Sequence, residues 1–279
     1  MDLLGLETFC AVVDEGGVLA ASRTLHTVQS NVTTRIKRLE EELGAKVFFR
    51  KGRGLSLTPA GRVLLGYARK MLQLERQAMQ AVKQLADEAG EVRIGTMESF
   101  AAVRLPDLLF RLRQQCPKVE TRIQTDTSES LIRMVLSHEL DCAYIGGPFE
   151  HDDLICTEVA TEQLVLVKSK TLHCVNTLIV FREGCAYRER AHRWQRTYGT
   201  SFDLMEMGTL EGILGCVAFG LGVTLMPVSV VEKSQHREQL IYEEIDQQFA
   251  CIPTLLIRHK RLSRLLGVEV LQQPLGVLN

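Results

Sequence analysis

The sequence predicts an α+β protein in three parts: an N-terminal winged helix-turn-helix, a long linker helix, and a C-terminal two-lobed α/β domain. Three observations predict it. Short amphipathic segments broken by glycines, ending in a basic hairpin, fill residues 1–58. An uninterrupted helical pattern runs from Pro59 to about Asp87. Beyond it, short apolar strands alternate with helical stretches in two successive runs. The 279 residues are 46% hydrophobic, enough to build about two domains.

Leu3, Leu6, Phe9, Cys10 and Val13 trace one face of a short helix that Gly16 and Gly17 end. A second short helix, Val18 to Leu25, carries Ala20 and Ala21, small enough for another helix to cross closely. The third stretch, HTVQSNVTTRIKRLEEELG, is expected to be a longer helix with Thr27 as N-cap and Gly44 as left-handed C-cap. Val32, Ile36, Leu39 and Leu43 face inward on it. Ser30, Asn31, Thr34 and Arg38 lie opposite, with Gln29 and Arg35 on the flanks near the leading end. Helix, short helix, tight turn and longer helix make a helix-turn-helix, whose second helix enters the DNA major groove. Amides there can pair with adenine, guanidinium with guanine, and threonine can touch the thymine methyl; a solvated amphipathic helix of poor propensity is the alternative reading.

The run Lys46 to Phe49 reads as a strand, residues 50–54 as a basic turn and Leu55 to Thr58 as a returning strand. A hairpin tipped with Arg50, Lys51 and Arg53 beside a recognition helix is a wing that touches phosphate or the minor groove. Pro59 then opens a helix with Thr58 as its cap. Its Leu64, Tyr67, Met71, Leu74, Ala78, Ala81 and Leu85 alternate steps of three and four, a heptad seam that implies a partner helix. About 28 residues at 1.5 Å each make a rod of about 42 Å. The same helix of a second subunit is the expected partner, with close contact to the body as the alternative. A two-fold pair of recognition helices favours an inverted-repeat site.

Charge supports this division. From Arg23 to Lys70 there are 11 basic and 3 acidic residues, a net +8, whereas the remainder carries −9. The polyanion partner therefore belongs to the basic segment alone. No apolar run reaches the roughly 18 residues of a membrane span. The N-terminus lacks the pattern of a signal peptide, so the expected location is the cytoplasm. The eight cysteines are scattered without a CxxC pair, which excludes a zinc knuckle or thioredoxin-like motif. Neither GxSxG, nor HExxH, nor a phosphate-binding glycine loop occurs. No enzyme, metal site or cofactor is expected.

In the body, Glu91 to Gly95, Val119 to Gln124 and Asp141 to Ile145 read as strands. Phe100 to Gln115 and Ser128 to Leu136 read as the helices between them. A second run follows: strands near Leu164–Val167, Thr177–Val180 and Val223–Leu225, with helices Tyr187 to Tyr198 and Thr209 to Phe219. Strands near 159–165 and 251–257 would cross between the lobes. Ligands in open α/β sheets sit beyond the strand C-termini, next to helix N-termini. That rule selects the loops holding Thr96, Met97, Glu98 and Ser99; Thr125 to Ser128, with Thr127 and Ser128; Gly147; and Glu206 to Thr209, with Gly208 and Thr209. Free N–H groups there favour an anionic or polar ligand, while Glu98 and Glu206 could recognise an amine. The bland alternative is that the hydroxyls only cap helices. Cys185 beside Arg182 raises redox sensing as a minority reading.

The run LETFCAVVDEGGVLAASRTLHTVQSNVTTRIKRLEEELGAKVFFRKGRGLSLTPAG strongly resembles the N-terminal part of LysR-type transcriptional regulators. RLEEELG, FFR and LTPAG are its most specific pieces, and Ser30-Asn31 depart from the Pro-Ala common in that family. VRIGTMES, LPDLLFRLRQQCPKVE, ELDCAYIGG and CVAFGLGVTLMP extend the resemblance through the body. The resemblance implies Gln29, Ser30, Asn31, Thr33, Thr34 and Arg35 as the groove-facing set, with Arg50 and Arg53 on or near phosphates. It also implies a periplasmic-binding-protein-like effector domain that binds a small molecule of unknown identity, and often a tetramer. The expected limits are 1–58 for the DNA-binding domain, 59–88 for the linker and 89–279 for the effector domain. Lobe 1 of the latter takes about 89–160 plus 255–279, and lobe 2 about 161–254. A solute-binding protein or small-ligand enzyme of the same architecture leaves the first ninety residues unexplained.

Overall fold

The computed structural model describes the chain apart from residues 52–53, 88–89, 172–175, 199–201, 261–266 and 274–279. The side chains of 50–51, 77, 80–81 and 83–87 are likewise not described. Two compact units result: Met1–Val82 with Ser137–Glu139, and Lys83–Leu136 with Leu140–Asn279.

The first unit begins with α1 (Leu3–Asp14), capped by Asp2, whose carboxylate accepts from Gly5 N at 2.7 Å. Gly16, at φ +73°, lets the chain turn into α2 (Val18–Thr24). The longer α3 (Gln29–Leu43) closes on Gly44 at φ +63°, the left-handed position a side chain resists. Its N-cap is Val28, which offers no side-chain bond, and not the expected Thr27. Thr27 Oγ1 instead accepts from Asn31 Nδ2 at 3.0 Å. Leu6, Phe9, Val12, Ala21, Val32, Ile36, Leu39 and Val47 form the core. Leu43, expected inward, is 39% exposed, and Glu40 takes the buried place at 8%. The helix closes at the next residue, so Leu43 has no neighbouring turn to pack beneath.

The wing strands are β1 (Phe48–Lys51) and β2 (Gly54–Leu57), antiparallel with Phe48 opposite Leu57. Phe48 meets Phe9 with ring centroids 5.3 Å apart, a contact worth about 0.5–1.5 kcal/mol beyond its area. Helix α4 (Pro59–Asp87) follows. Its first turns bury Leu64 and Ala68 in the core just described. Leu64 therefore belongs to the fold of this unit and not to the exposed seam it was expected to join. Val63, Tyr67, Met71, Leu74, Ala78 and Val82 form the exposed apolar stripe. The side chains of Ala81 and Leu85, the last two seam positions, lie outside the described residues.

In the second unit, β3 (Gly90–Thr96) leads into α5 (Glu98–Val103) and α6 (Leu105–Gln115). The sequence suggested one helix here. Pro106 lacks the N–H and its ring obstructs the preceding turn, so the chain breaks at Arg104 and restarts with proline in the first turn. Next come β4 (Val119–Thr125), α7 (Ser128–Leu136), β5 (Cys142–Gly146) and the 16-residue β6 (Leu154–Ser169). Then follow β7 (Thr177–Phe181), α8 (Ala186–Tyr198), β8 (Asp203–Met207), α9 (Leu210–Ala218) and β9 (Thr224–Pro227). The described chain finishes with α10 (Val228–Lys233), β10 (Leu240–Glu244), α11 (Gln247–Ala250), β11 (Cys251–His259) and α12 (Val268–Leu271).

The main sheet runs β10-β6-β11-β5-β3-β4, with β9 also on β6. Strand β3 is parallel to β4 and β5, as the alternating pattern implies, whereas β11 is antiparallel to β5 and β6. The first half of β6 pairs with β11 and the second half with β9 and β10. Strand β6 thus carries the chain from one lobe to the other. The sequence reading, Leu164–Val167 with a crossing near 159–165, caught the second half of this strand and missed its start from Leu154, where the residues are mostly only partly buried. Strands β7 and β8 pair in parallel and join β9 by a bridge from Leu178 to Val223. Lobe 1 has one core, around Tyr144, Leu108 and Leu131, and lobe 2 has two, around Leu164, Ile179 and Ile213 and around Leu178 and Trp194.

Candidate DNA-reading surface and ligand cleft

On α3, Gln29, Ser30, Asn31, Thr33, Thr34 and Arg38 are exposed, and Arg35 is half-buried. Thr33 and Thr34 hydroxyls donate to the carbonyls of Gln29 and Ser30 at 2.9 and 2.8 Å. Arg38 pairs with Glu42 one turn on, Nε to Oε1 at 3.2 Å. Glu42 also pairs with the terminal amine of Met1, and these two cations hold its carboxyl below the usual range. Arg35 leans toward α1, its Nη1 at 3.5 Å from Thr8 Oγ1. Lys37, absent from the set read from the sequence, is exposed beside Ser30 and Thr34 on the face opposite the buried stripe. Its spacing from Ser30, seven residues, was the available signal. Arg53 and the side chain of Arg50 lie outside the described residues.

In the second unit a cleft of about 430 Å³, its open mouth included, lies between the lobes. Its lining contains Met97, Glu98 and Ser99 at the start of α5, Thr125 to Ser128 before α7, Phe181, Arg182, Cys185 and Tyr187 between β7 and α8, and Gly208. Six of the nine residues read from the sequence thus come together: Met97, Glu98, Ser99, Thr127, Ser128 and Gly208. Thr96, Gly147 and Thr209 do not line it. Thr96 is fully buried and its hydroxyl donates to Met97 O. Gly147 turns to β11, donating its N–H to Pro253 O at 2.7 Å. Thr209 caps α9, accepting from Gly212 N at 3.3 Å.

Most polar groups of the cleft are already engaged. Thr127 and Ser128 hydroxyls accept from Ser130 N at 3.4 Å and Gly146 N at 3.1 Å. Asp126 accepts from Arg182 across the mouth at 2.9 Å. Glu98 accepts from Leu210 N at 2.9 Å, and Glu206 pairs with Arg188. The two carboxylates considered for an amine therefore serve the protein itself. The hydroxyls of Ser99 and Tyr187 meet at 3.0 Å. Burial pushes the Tyr187 phenol well above its ordinary range, and the Ser99 bond acts weakly against it. Burial also raises the Cys185 thiol, against the N–H groups of Arg188 and Tyr187 that point at the sulfur. Arg182, Phe181 and Tyr187 were missed because their place depends on β7 meeting lobe 1, which no local pattern encodes.

Among the described residues no His, Cys, Asp and Glu cluster could hold a metal, and no helix is long and apolar enough to cross a membrane. The profile of the bacterial regulatory helix-turn-helix protein, lysR family, matches residues 3–62, and that of the LysR substrate binding domain matches 86–273. The chain belongs to the LysR family. As such it is a DNA-binding transcriptional regulator with an effector-binding domain, not an enzyme. Relatives of this LysR-type chain include the HTH-type transcriptional regulator GltR of Bacillus subtilis (strain 168), 36% identical over 93% of this chain and 91% of GltR. The regulator CzcR of Bacillus thuringiensis subsp. konkukian (strain 97-27) is 39% identical over 93% of this chain and 92% of CzcR. Among solved structures, a full-length OxyR variant from Pseudomonas aeruginosa shares the fold with a TM-score of 0.73. Its identity is 20%, over 98% of this chain and 93% of OxyR.

Proposed function

We propose that the chain reads an inverted-repeat operator with two copies of α3, paired through α4, in the cytoplasm, and answers to a small metabolite held in the interlobe cleft. Residues 1–58 read DNA, 59–88 pair the subunits and 89–279 hold the effector, with lobe limits near 160 and 255. Gln29, Ser30, Asn31, Thr33, Thr34 and Arg35 read bases, joined by Lys37. Arg38, Arg50 and Arg53 meet phosphates. Tyr67, Met71, Leu74 and Ala78, with Ala81 and Leu85 further along α4, form the pairing seam, and a tetramer follows if the bodies also associate. The observation that carries the reading is the exposed, uncharged polar end of α3 opposite the buried Val32 and Ile36. Short amides and hydroxyls there allow the backbone to approach base edges.

Met97, Glu98, Ser99, Thr127, Ser128 and Gly208 contact the effector, with Arg182 and Tyr187 beside them. Binding shifts the balance between lobe arrangements by its differential affinity for them. Selection of duplexes from a random library by the full chain, at fixed salt, tests the DNA half. An enriched two-fold symmetric sequence, bound at least about a hundredfold better than its scrambled form, is expected. Equal binding of both would overturn it. Thermal melting of the full chain across a metabolite library tests the cleft, since a ligand at a hundred times its Kd stabilises by about 2.7 kcal/mol. A library without effect on melting, footprint or transcription would remove the switch.

A further inference from the structure

We propose that Glu40 sets the half-site spacing this regulator accepts, by locking the recognition helix to the linker helix through the base of the wing. This rests on the pairing of α4 proposed above. Glu40 is 8% exposed and lies on the inner face of α3, away from the reading surface. Its Oε1 accepts from Val47 N at 3.0 Å and, more weakly, from Phe48 N at 3.5 Å, while Oε2 accepts from Lys46 Nζ at 2.7 Å. The wing base is therefore bonded to the last turns of α3.

The same residues are bonded on their other side to the start of α4. Thr58 Oγ1 donates to Lys46 O at 2.6 Å, and Thr58 N donates to Val47 O at 3.0 Å. Thr58 Oγ1 also accepts from Gly61 N, capping α4 at 2.9 Å. Val47 thus gives its N–H to the recognition helix and its carbonyl to the linker helix, with its side chain fully buried between them. Gly61 permits the closeness: a Cβ there would stand 2.2 Å from Val47 O. The joint therefore bonds both helices through the same three residues, Lys46, Val47 and Thr58.

Tilt matters because α3 is a lever. Its 15 residues make it about 22 Å long. From the joint at Glu40 the leading end is 11 residues away, about 16 Å, so about 12° of play would move it by about 3.4 Å, the step between base pairs. With two such heads related by a two-fold axis, the stiffness of the joint decides which half-site separation is bound. Glu40 is accordingly a positioning residue that touches no base, and its side chain governs spacing where Gln29 to Arg35 govern sequence.

The test uses the full chain and the duplex obtained by selection from a random library, remade with one and two base pairs added to or removed from the spacer. The wild type is expected to lose about tenfold in affinity per base pair, the factor that about 1.4 kcal/mol gives. Glu40→Ala is expected to flatten this profile to within about threefold while keeping the wild-type preference among bases inside each half-site. Glu40→Gln, whose amide oxygen still accepts from Val47 N, is expected to restore the wild-type profile. Thr58→Val, which removes only the Lys46 O bond and the cap, is expected to flatten it too, and serves if Glu40→Ala does not fold. A wild-type spacing profile in both Glu40→Ala and Thr58→Val would overturn the proposal. So would a loss of base preference in the same proportion as spacing preference. Sedimentation of the wild-type chain separates the two readings, because a monomer overturns the pairing of α4 whatever the variants do.

Discussion

The Glu98 carboxylate accepts the N–H of Leu210 at 2.9 Å, so a side chain of lobe 1 caps the first turn of a helix in lobe 2. Three further bonds cross the same cleft: Ser99 to Tyr187, Arg182 to Asp126, and Glu129 N to Gly184 O. Together they make the cleft walls part of one hydrogen-bonded system.

Removing the Glu98 cap costs stability. Glu98→Ala is expected to lower the unfolding free energy by about 1 kcal/mol, the usual value of a lost helix cap. Urea unfolding of the full chain measures it. An unchanged midpoint would mean that water replaces the carboxylate at no cost.

Tyr187→Phe keeps the buried ring but leaves Ser99 without its partner. A loss of about 1 kcal/mol is expected for this bond, and Ser99→Ala in the same background should then add little. A double-mutant cycle in urea reads the coupling directly. Additive losses would show that the two hydroxyls do not depend on each other.

Buried thiols and phenols give the fold a one-sided pH dependence. Burial pushes the Cys10 thiol up to about 12, with nearby Asp14 adding to it. Burial also raises Cys142, Cys185, Tyr144 and Tyr187. Each group holds its proton more tightly folded than unfolded. Their contribution is complete below the unfolded values, about 8.5 for thiols and 10 for phenols. It is lost as pH rises past those values toward the raised folded ones. Urea midpoints should fall between about pH 8.5 and about pH 11, and a flat profile would contradict the burial. A thiol reagent at about pH 8 should label exposed Cys251 first and reach buried Cys10 and Cys142 only on unfolding.

Two leucines of α4 should fail differently. Leu74→Asp, in the exposed stripe, is expected to give a folded monomer with weakened DNA binding. Leu64→Ala, in the core, is expected to cost about 2–5 kcal/mol of stability with the pairing intact once folded. Sedimentation and thermal melting of both variants distinguish the outcomes. A dimeric Leu74→Asp would place the seam elsewhere.

Most of the first unit was legible in the sequence, because its contacts are local and periodic. The steps of three and four on α1, α3 and α4, the turn glycines and Pro59 each state their own structure. The misreadings there also have local causes. Leu43 and Glu40 both satisfy the inward spacing, and apolarity favours Leu43, whereas the folded chain buries Glu40 against two backbone donors. Leu64 satisfies both the core face and the seam, and the wheel alone does not rank them.

Residues close together in the chain encode the fold class, the family, the third helix and three of the loops that border the cleft, whereas the segment from Phe181 to Tyr187 reaches the cleft only through the fold. The tertiary structure alone decided which polar groups remain available. Glu98 meets Leu210, Asp126 meets Arg182, and Glu40 meets Val47, and in the first two pairs the partners stand 56 or more residues apart. Such pairings follow from where β6 crosses between lobes and where the wing base wedges between two helices. They are set by the packing of whole elements, for which no short-range periodicity exists.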